Sequence, residues 1–353
     1  METIYLLSFG LTFLLTVVLI PPTIILAIRF GMVDDPKKHK HPAILHKRTI
    51  PRAGGVPIFI AIAVVALILL PKTTLNMSII AASFITIVTG ILDDKYDLSP
   101  YIRFMVNIFC ALIVVFAGVS IPFITNPLGG ILYFDKFLIF SLWGFDFTVA
   151  SALAVMWIVW VMNMLNWSKG VDGQMPGIAA ISAIIIGLAS LRFVPIETIN
   201  IETAQFSFMV AGAALGFLVF NFYPARIFPG YSATVLGFLL GVLSITSGVK
   251  LATAVLVMGV PTVDAIFTII RRVISKKSPF WHDKGHLHHL LLKYGLSHRK
   301  IALFYWSMSL ILGLVALSSS SWGKLFAIIL LIVLFSGLFF TLKFITKKEN
   351  EYE

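Results

Sequence analysis

Eleven apolar segments, each long enough or nearly long enough to cross a lipid bilayer, constrain this chain more than any other feature. Hydrophobic residues make up 59% of its 353 residues and charged residues only 12%, too few to cover a water-soluble surface. We therefore expect an all-α polytopic membrane protein with about 11 transmembrane helices. The segments are residues 5–28, 56–70, 75–92, 102–119, 149–164, 177–191, 206–222, 231–245, 251–270, 301–319 and 325–344.

The basic residues predict the orientation of the chain. Seven of the 27 lysines and arginines lie within residues 29–52, and eight lie within residues 271–300. With eleven spans these loops share a side with the C-terminus, which the positive-inside rule places in the cytoplasm, leaving the N-terminus outside. No linker or repeat divides the chain, so residues 1–353 are read as a single transmembrane domain. On the outer side, the alternating residues 131–147 are typical of a small β-hairpin.

An acidic cluster stands where two apolar segments almost meet. Residues 92–100 read Leu-Asp-Asp-Lys-Tyr-Asp-Leu-Ser-Pro, which places Asp93 and Asp94 at the end of one span. Ionisable groups packed against a membrane segment are costly unless they bind something. The simpler alternative is that these carboxylates only end one helix and cap the next. Because two aspartates and Lys95 stand together, a functional site is favoured.

A histidine-rich loop follows the ninth apolar segment. Residues 281–289 read Trp-His-Asp-Lys-Gly-His-Leu-His-His, and basic residues precede them at 271, 272, 276 and 277. Imidazoles at this spacing suit either a transition metal or a phosphorylated ligand. The one cysteine lies inside an apolar segment, and the basic surroundings repel cations. Recognition of an anion by His286, His288 and His289 is therefore favoured over a metal site or a solvated basic loop.

Two further loops on the same side carry residues suited to a phosphate or a hard cation. Residues 163–174 read Asn-Met-Leu-Asn-Trp-Ser-Lys-Gly-Val-Asp-Gly-Gln, with Asn163 and Asn166 on one helical face. Amide and carboxylate oxygens suit Mg²⁺, and glycines let a ligand approach the backbone. Residues 46–55 read His-Lys-Arg-Thr-Ile-Pro-Arg-Ala-Gly-Gly, a basic loop that ends in glycines at a helix start, as phosphate sites often do. An ordinary turn fits the first of these loops as well, and a topology anchor fits the second.

Together these segments resemble the polyprenyl-phosphate N-acetylhexosamine-1-phosphate transferases of glycosyltransferase family 4, which include the phospho-MurNAc-pentapeptide translocases. The resemblance spans nearly the whole chain in the family's order, and the His-Leu-His-His form is more similar to the bacterial GlcNAc-1-phosphate branch. The matching stretches are Ile-Pro-Arg-Ala-Gly-Gly at 50–55, the acidic cluster at 92–100, residues 163–173, Pro-Thr-Val-Asp at 261–264 and Asp-Lys-Gly-His-Leu-His-His at 283–289.

The resemblance implies an enzyme that transfers an N-acetylhexosamine-1-phosphate, GlcNAc-1-phosphate in particular, from a UDP-amino sugar to polyprenyl phosphate. The products would be polyprenyl-diphosphate-sugar and UMP, for cell-envelope polysaccharide synthesis. It implies that the protein lies in the inner (plasma) membrane with its active site on the cytoplasmic face. It also implies that the protein has no nucleic-acid partner and can form a homodimer. It also implies Mg²⁺ as the cofactor, bound weakly or carried in by the substrate.

The resemblance also assigns roles to residues. Asp93 and Asp94 become catalytic carboxylates that act as base or orient the nucleophile, and Asp94 and Asn166 would contact Mg²⁺. Two acidic positions of the family pattern are Lys169 and Tyr231 here. Loss of two carboxylates predicts weak Mg²⁺ binding and makes Lys169 a third catalytic candidate, one that neutralises the diphosphate. The expected substrate-binding residues are Lys47, Arg52, Lys95, Asn163, Asp172, Arg226, His286, His288 and His289.

Two other functions stay open. A chain of the same fold could bind lipid phosphate or a nucleotide sugar without catalysing transfer. A transporter with a charged site at mid-membrane is disfavoured, because nearly every ionisable residue is expected at loop depth. Asp264 is expected to be the one acid inside a span, beside a kink at Pro261.

Overall fold

The computed structural model describes residues 2–36, 48–126, 129–142, 144–192, 197–248, 251–278 and 285–349. Within these ranges the chain forms thirteen α-helices and three two-stranded antiparallel ladders. The helices are α1 (Glu2–Arg29), α2 (Gly55–Leu69), α3 (Thr74–Tyr96), α4 (Pro100–Phe116), α5 (Val149–Trp167), α6 (Gln174–Ser190), α7 (Thr198–Asn221), α8 (Thr234–Thr246), α9 (Leu251–Val257), α10 (Gly259–Ile274), α11 (Leu287–Lys293), α12 (His298–Ser318) and α13 (Ser321–Glu349). The strands are β1 (Val33–Asp34), β2 (Ile50–Pro51), β3 (Phe123–Thr125), β4 (Ile131–Tyr133), β5 (Leu138–Leu142) and β6 (Phe145–Thr148).

Six helices in the described ranges, namely α1, α3, α5, α7, α12 and α13, are long and apolar enough to cross a membrane. The pair α9 and α10, bent by 84°, makes a seventh candidate if it is counted as one span. Four shorter apolar helices, α2, α4, α6 and α8, would reach only about 20–26 Å through a hydrocarbon layer of about 30 Å. The chain is thus a mostly helical protein with several membrane-length spans. Every predicted segment coincides with a helix or the bent pair, but a count of eleven full-length spans is not confirmed.

The bend between α9 and α10 confirms the kink expected near Pro261. A proline removes the hydrogen bond to the carbonyl four residues earlier, and its ring collides with that carbonyl. For Pro261 that residue is Val257, where α9 ends, and α10 begins at Gly259. Asp264 therefore lies in the second turn of α10, where it is buried inside the protein.

The helix α8 lies at the centre of the bundle. All of its residues from Thr234 to Ser244 are buried. By contrast, α1 exposes large apolar side chains such as Leu14, Val18 and Ile25, as contact with lipid requires. The last residues of the loop that leads into α8, from Pro229 to Ala233, are also buried.

Small residues let α7 pack directly against α1. A Cβ added at Gly212 would lie 2.2 Å from the backbone oxygen of Phe9, and one added at Gly216 would lie 2.7 Å from that of Phe13. Glycine at these positions allows the two backbones to approach, as at many contacts between membrane helices. This packing fixes the position of α7, and with it the start of the loop that follows.

Local signals set the ends of the helices that carry the site. The helix α3 begins after Thr73, whose hydroxyl accepts a hydrogen bond from the backbone N–H of Asn76 at 3.2 Å. It ends at Asp97, which has a left-handed φ of 51°. Pro100 then occupies the first turn of α4, where its missing N–H costs nothing. The acidic cluster in the sequence therefore coincides with the end of α3.

The region predicted to form a hairpin, residues 131–147, holds β4, β5 and most of β6. The strands β5 and β6 pair as an antiparallel hairpin with Leu142 opposite Phe145. The strand β4 pairs instead with the earlier strand β3, with Tyr133 opposite Phe123. One hairpin is therefore present as expected, together with a second ladder that the alternation pattern did not indicate.

Candidate active site

Asp93 and Asp94 lie in the last turn of α3, and both are buried. Asp93 accepts a hydrogen bond from the backbone N–H of Leu98 at 3.1 Å and forms an ion pair with Arg103 at 3.0 Å. Neither acid caps α4, whose N-cap is Ser99 and has no side-chain capping bond. The capping alternative for the next helix is therefore wrong. The expectation that Asp264 is the one acid inside a span is also wrong, because Asp93 and Asp94 lie within the membrane-length helix α3.

The loop between α7 and α8 closes over Asp94. The backbone N–H of Tyr231 donates to Oδ1 of Asp94 at 2.7 Å, and that of Ser232 donates to Oδ2 at 3.4 Å. Gly230 has a φ of +66°, and a Cβ there would lie 2.2 Å from Oδ2 of Asp94. Glycine is required on both counts, since it alone combines this conformation with so close an approach. The Asp94 carboxylate is thus fixed by two backbone amides.

Ser232 joins three of the segments that the sequence singled out. Its hydroxyl accepts a hydrogen bond from the backbone N–H of Gly55 at 3.1 Å. Gly90 of α3 packs against it so closely that a Cβ would lie 2.2 Å from the Cα of Ser232. The N–H of Gly54 donates to the carbonyl of Phe228 at 3.2 Å. The amides of Gly54 and Gly55 are therefore already bonded within the protein, and a phosphate at this loop would be bound by its basic side chains instead.

Lys169 follows α5 and reaches the same loop. Its ammonium donates to the carbonyl oxygen of Gly230 at 3.1 Å and lies 5.9 Å from the centre of the Tyr231 ring. Burial lowers the pKa of Lys169 to about 8, and the nearby charges of Asp94 and Asp93 oppose that shift. The two positions at which the sequence departs from the family pattern are therefore neighbours, beside the acid pair.

Tyr231 presents a neutral ring to two cations. The amide nitrogen of Asn107, on α4, donates to its hydroxyl at 3.1 Å, and the Arg103 guanidinium lies 5.1 Å from the ring centre. Burial raises the pKa of Tyr231 to about 12, so the phenol carries no charge near neutral pH. The ring thus supports Arg103 and Lys169 by cation–π contact without supplying a negative ligand.

Asn163 and Asn166 both lie on α5, as the spacing predicts. The amide of Asn163 donates back to the carbonyl of Val159 in its own helix at 2.8 Å. The Oδ1 atom of Asn166 is buried, and no hydrogen-bond partner for it lies within the described residues. A buried acceptor without a donor is costly, so this atom marks a place where a ligand can bind.

Asp172 and Asn221 connect the loop after α5 to the loop after α7. Asp172 accepts a hydrogen bond from the backbone N–H of Ala225 at 3.0 Å. Asn221 accepts one from the backbone N–H of Gly173 at 3.0 Å and donates to the carbonyl of Ile227 at 2.9 Å. Asn221 is not among the residues predicted from the sequence, although a lone asparagine at the end of an apolar segment is a detectable signal.

Asp264 anchors the histidine-rich segment. Its Oδ2 lies 3.0 Å from Nδ1 of His286, and its Oδ1 accepts a hydrogen bond from the backbone N–H of Leu287 at 2.9 Å. The hydroxyl of Thr268, one turn further along α10, lies 3.3 Å from the same ring nitrogen. Asp264 therefore positions the His286 ring and the start of α11.

The three predicted histidines stand side by side. The His286 and His288 rings stack with their centres 5.4 Å apart, and the His288 and His289 centres are 4.3 Å apart. Burial lowers the pKa of His288 well below its ordinary value, with His289 and His286 adding to the shift. His288 is therefore neutral at pH 7, and its Nδ1 is buried with no hydrogen-bond partner in the described part of the chain. It can recognise a ligand by hydrogen bonding but brings no charge.

Gly170 brings the histidines against the loop that carries Lys169. A Cβ at Gly170 would lie 1.9 Å from Nε2 of His288, so the ring can pack there only because the residue is glycine. On the other side, the Trp167 and His286 ring centres are 6.4 Å apart, and Arg272 lies 5.7 Å from the Trp167 ring. The histidine-rich segment and the residues after α5 thus form one site.

Of the remaining predicted residues, only some lie near the acid pair. Arg52 forms an ion pair with Asp34 at 3.0 Å, and its positive charge also stabilises the Asp94 carboxylate. Lys95 is exposed, with its ammonium 5.0 Å from the Tyr96 ring, so it is not brought to the acid pair as expected. Its neighbours Asp93 and Asp94 occupy the inward side of α3, which leaves Lys95 on the outward side. Arg226 is exposed within the loop that closes over Asp94. Lys47 lies outside the described residues, as do residues 281–284.

The donor set does not fit a divalent ion held by the protein. Across the described ranges, no three His, Cys, Asp or Glu side chains are grouped as metal ligands. The expected ligands, Asp94 and Asn166, offer one carboxylate already bonded to two amides and one free amide oxygen. Mg²⁺ favours carboxylate and water oxygens in an octahedral shell. Lys169 and Arg103 bring two positive charges beside the acid pair, which disfavours a divalent cation there.

Sequence comparisons find relatives that match most of the chain. Residues 76–248 match the profile described as glycosyl transferase family 4. The chain is 33% identical over 332 residues to a probable undecaprenyl-phosphate N-acetylglucosaminyl 1-phosphate transferase of Bacillus subtilis, covering 91% of this chain and 87% of that protein. It is 30% identical over 330 residues to a decaprenyl-phosphate N-acetylglucosaminephosphotransferase of Mycolicibacterium smegmatis, covering 84% of this chain and 77% of that protein. An undecaprenyl-phosphate alpha-N-acetylglucosaminyl 1-phosphate transferase of Thermotoga maritima is 28% identical over 322 residues, covering 90% of each chain. The chain belongs to glycosyl transferase family 4.

Proposed function

We propose that this protein transfers GlcNAc-1-phosphate from UDP-GlcNAc to a polyprenyl phosphate. The observation that carries the proposal is the convergence of four polar segments, distant in sequence, around Asp94, Lys169 and His288. The printed names of the relatives, which are N-acetylglucosaminyl 1-phosphate transferases acting on undecaprenyl or decaprenyl phosphate, support the same reaction.

The reaction moves one phosphoryl group. An oxygen of the polyprenyl phosphate attacks the β-phosphorus of UDP-GlcNAc, and the bond from that phosphorus to the bridging oxygen breaks. UMP leaves with the bridging oxygen, and the sugar stays on the transferred phosphate. Such a step depends mainly on aligning two anions and stabilising the charge that develops between them.

The acid pair would organise the lipid phosphate. Asp94 is fixed by the amides of Tyr231 and Ser232, and Asp93 is paired with Arg103. A guanidinium fork can bind a phosphate while its carboxylate partner holds it in place. In this arrangement Asp93 and Asp94 orient the attacking group or accept a proton from it.

The histidines and Asp172 would bind the sugar nucleotide. Neutral His288, whose Nδ1 has no hydrogen-bond partner among the described residues, can hydrogen-bond the sugar or the diphosphate. His286 is held in one orientation by Asp264. The carboxylate of Asp172, at the junction of two loops, is assigned to the nucleotide. Asn163, Arg52 and Arg226 complete the proposed binding surface.

We further propose the membrane arrangement that the charge distribution predicts. The four short apolar helices would also cross the membrane, giving eleven crossings, an outer N-terminus and an active site on the cytoplasmic face of the plasma membrane. A single domain and a homodimeric assembly belong to the same proposal. Reporter fusions after Pro100, Lys169 and His289 should all report the cytoplasm. A fusion after Lys136 should report the outside, and opposite faces for Pro100 and His289 would exclude a single site.

The experiment that tests the function uses purified protein, UDP-GlcNAc labelled in the sugar, and undecaprenyl phosphate in detergent. Transfer should move the label into the lipid phase in a time-dependent way. The second candidate is a protein that binds these ligands without turnover, and the lack of a three-ligand metal cluster among the described residues favours it. Saturable binding of UDP-GlcNAc with no labelled lipid would support that candidate instead.

A further inference from the structure

Each carboxylate of the acid pair already has a cation of the protein beside it. Asp93 is paired with Arg103 at 3.0 Å, and Arg52 is paired with Asp34 at 3.0 Å. Asp94 has Lys169 as its strongest charged neighbour. A divalent cation is attracted to a site with surplus negative charge. These residues provide no such surplus.

The ammonium of Lys169 is held by one hydrogen bond and can still donate others. Its hydrogen bond to the carbonyl oxygen of Gly230 is 3.1 Å long. An ammonium has three hydrogens to donate, and Lys169 makes no ion pair within 4.0 Å among the residues that the structure describes. The remaining hydrogens are therefore available to the oxygens of a bound anion.

The Tyr231 ring keeps two cations at defined positions. Lys169 lies 5.9 Å and Arg103 lies 5.1 Å from its centre. Its hydroxyl is held by Asn107 at 3.1 Å, so the ring cannot swing away without breaking that bond. Two fixed cations beside two carboxylates suit a pair of phosphorylated ligands, one facing each cation.

We propose that the Lys169 ammonium is the resident positive charge that faces the diphosphate of the sugar donor, so that transfer needs no divalent ion held by the protein. The inference rests on the proposed function, because it assigns the cation for that same reaction. Lys169 stays protonated throughout. It neutralises charge as the bond from the β-phosphorus to the bridging oxygen breaks, and it transfers no proton.

The test compares lipid labelling from UDP-GlcNAc in EDTA with labelling in excess Mg²⁺. Wild type should keep its rate in EDTA to within about threefold, while Lys169→Met should lose about 100-fold in both conditions, as expected when a fixed charge-stabilising group is removed. Lys169→Arg keeps the charge and should recover part of the rate. Lys169→Asp should be inactive in EDTA and gain activity in Mg²⁺. The control is Lys300→Met, which removes an exposed lysine at the start of α12 and should match wild type.

Direct binding provides a second readout. UDP-GlcNAc binding by calorimetry in EDTA should be retained by wild type and Lys300→Met and weakened about tenfold or more in Lys169→Met. Loss of wild-type activity in EDTA with recovery in Mg²⁺ would overturn the inference and leave the proposed transfer intact. If no protein labels lipid in either condition, the proposed function fails. In that case the calorimetric measurement alone tests the role of Lys169. If UDP-GlcNAc binding requires Mg²⁺, or if Lys169→Met binds UDP-GlcNAc as tightly as wild type, the proposed role of Lys169 as the cation is wrong.

Discussion

Asp264 Oδ2 and His286 Nδ1 are 3.0 Å apart, in a contact that joins the middle of α10 to the start of α11. The same carboxylate holds the backbone N–H of Leu287. One buried acid therefore orients the first histidine of the cluster and the helix that carries the other two. Because both of its oxygens are bonded to this segment, we assign Asp264 a positioning role.

Replacing Asp264 by Asn should loosen that loop. A charge-assisted hydrogen bond becomes a neutral one, which weakens it by about 1–2 kcal/mol, or about tenfold in binding. We expect KM for UDP-GlcNAc to rise by about that factor while kcat changes less. Thr268→Val is the matched control, because its hydroxyl is a weaker neighbour at 3.3 Å from the same nitrogen, and it should change KM little. Equal changes in both variants would contradict the anchoring role.

Replacing Gly170 by Ala should displace His288. The added Cβ would lie 1.9 Å from Nε2 of the buried ring, so the ring or the loop must move, at a cost of about 1–3 kcal/mol. UDP-GlcNAc binding should weaken and the thermal midpoint should fall. Gly10→Ala is the control, since a Cβ there meets nothing within 4 Å. Unchanged binding in Gly170→Ala would separate the histidines from the site.

Replacing Asp93 or Asp94 by Asn should reduce turnover by about 100-fold or more, because each loses the charge that would orient the phosphate. Stability should also fall, by about 1–3 kcal/mol, since in Asp94→Asn one of the two oxygens that accept from Tyr231 and Ser232 becomes an NH2 group, and Asp93→Asn leaves Arg103 without its ion pair. Lipid labelling and thermal unfolding measure the two effects. Wild-type turnover in both variants would remove the pair from the mechanism.

The rate should depend on pH through Lys169. Its pKa is lowered to about 8, so the ammonium is present below that pH and is lost as the pH rises through about 8. The value of kcat/KM for UDP-GlcNAc, which reports ionisations of the free enzyme, should fall over the same interval. Lys169→Arg stays charged across the range and should lack this decline. A wild-type rate that is flat up to pH 9.5 would contradict a catalytic role for the ammonium.

Much of this molecule is predictable from the sequence because the signals are local. Each apolar segment became a helix, and the break before Pro261 followed from its missing N–H. The acid pair, Asn166, Asp172 and the three histidines were all found as candidates and all lie at the site. Lipid-facing hydrophobicity and loop chemistry are properties that a stretch of sequence carries by itself.

The tertiary contacts were not predictable in the same way. Arg103 lies within an apolar segment, and its pairing with Asp93 appears only once α3 and α4 pack. The hydrogen bond from the amide of Gly55 to the hydroxyl of Ser232, 177 residues away, could not be predicted from the sequence. Lys95 stands next to the acids in sequence but on the other side of the helix. Such relationships depend on which faces meet, which the pattern of residues does not encode locally.

The position of the transferred phosphorus tests the central claim most directly. Purified protein would be given UDP-GlcNAc labelled with ³²P at the β-phosphate, together with undecaprenyl phosphate. The proposal predicts that the label enters the lipid phase while unlabelled UMP appears in equal amount. Label that remains in water as UDP, beside a glycosylated lipid, would show attack at the sugar carbon instead. Label that stays in UDP-GlcNAc throughout would show a protein that binds without transfer.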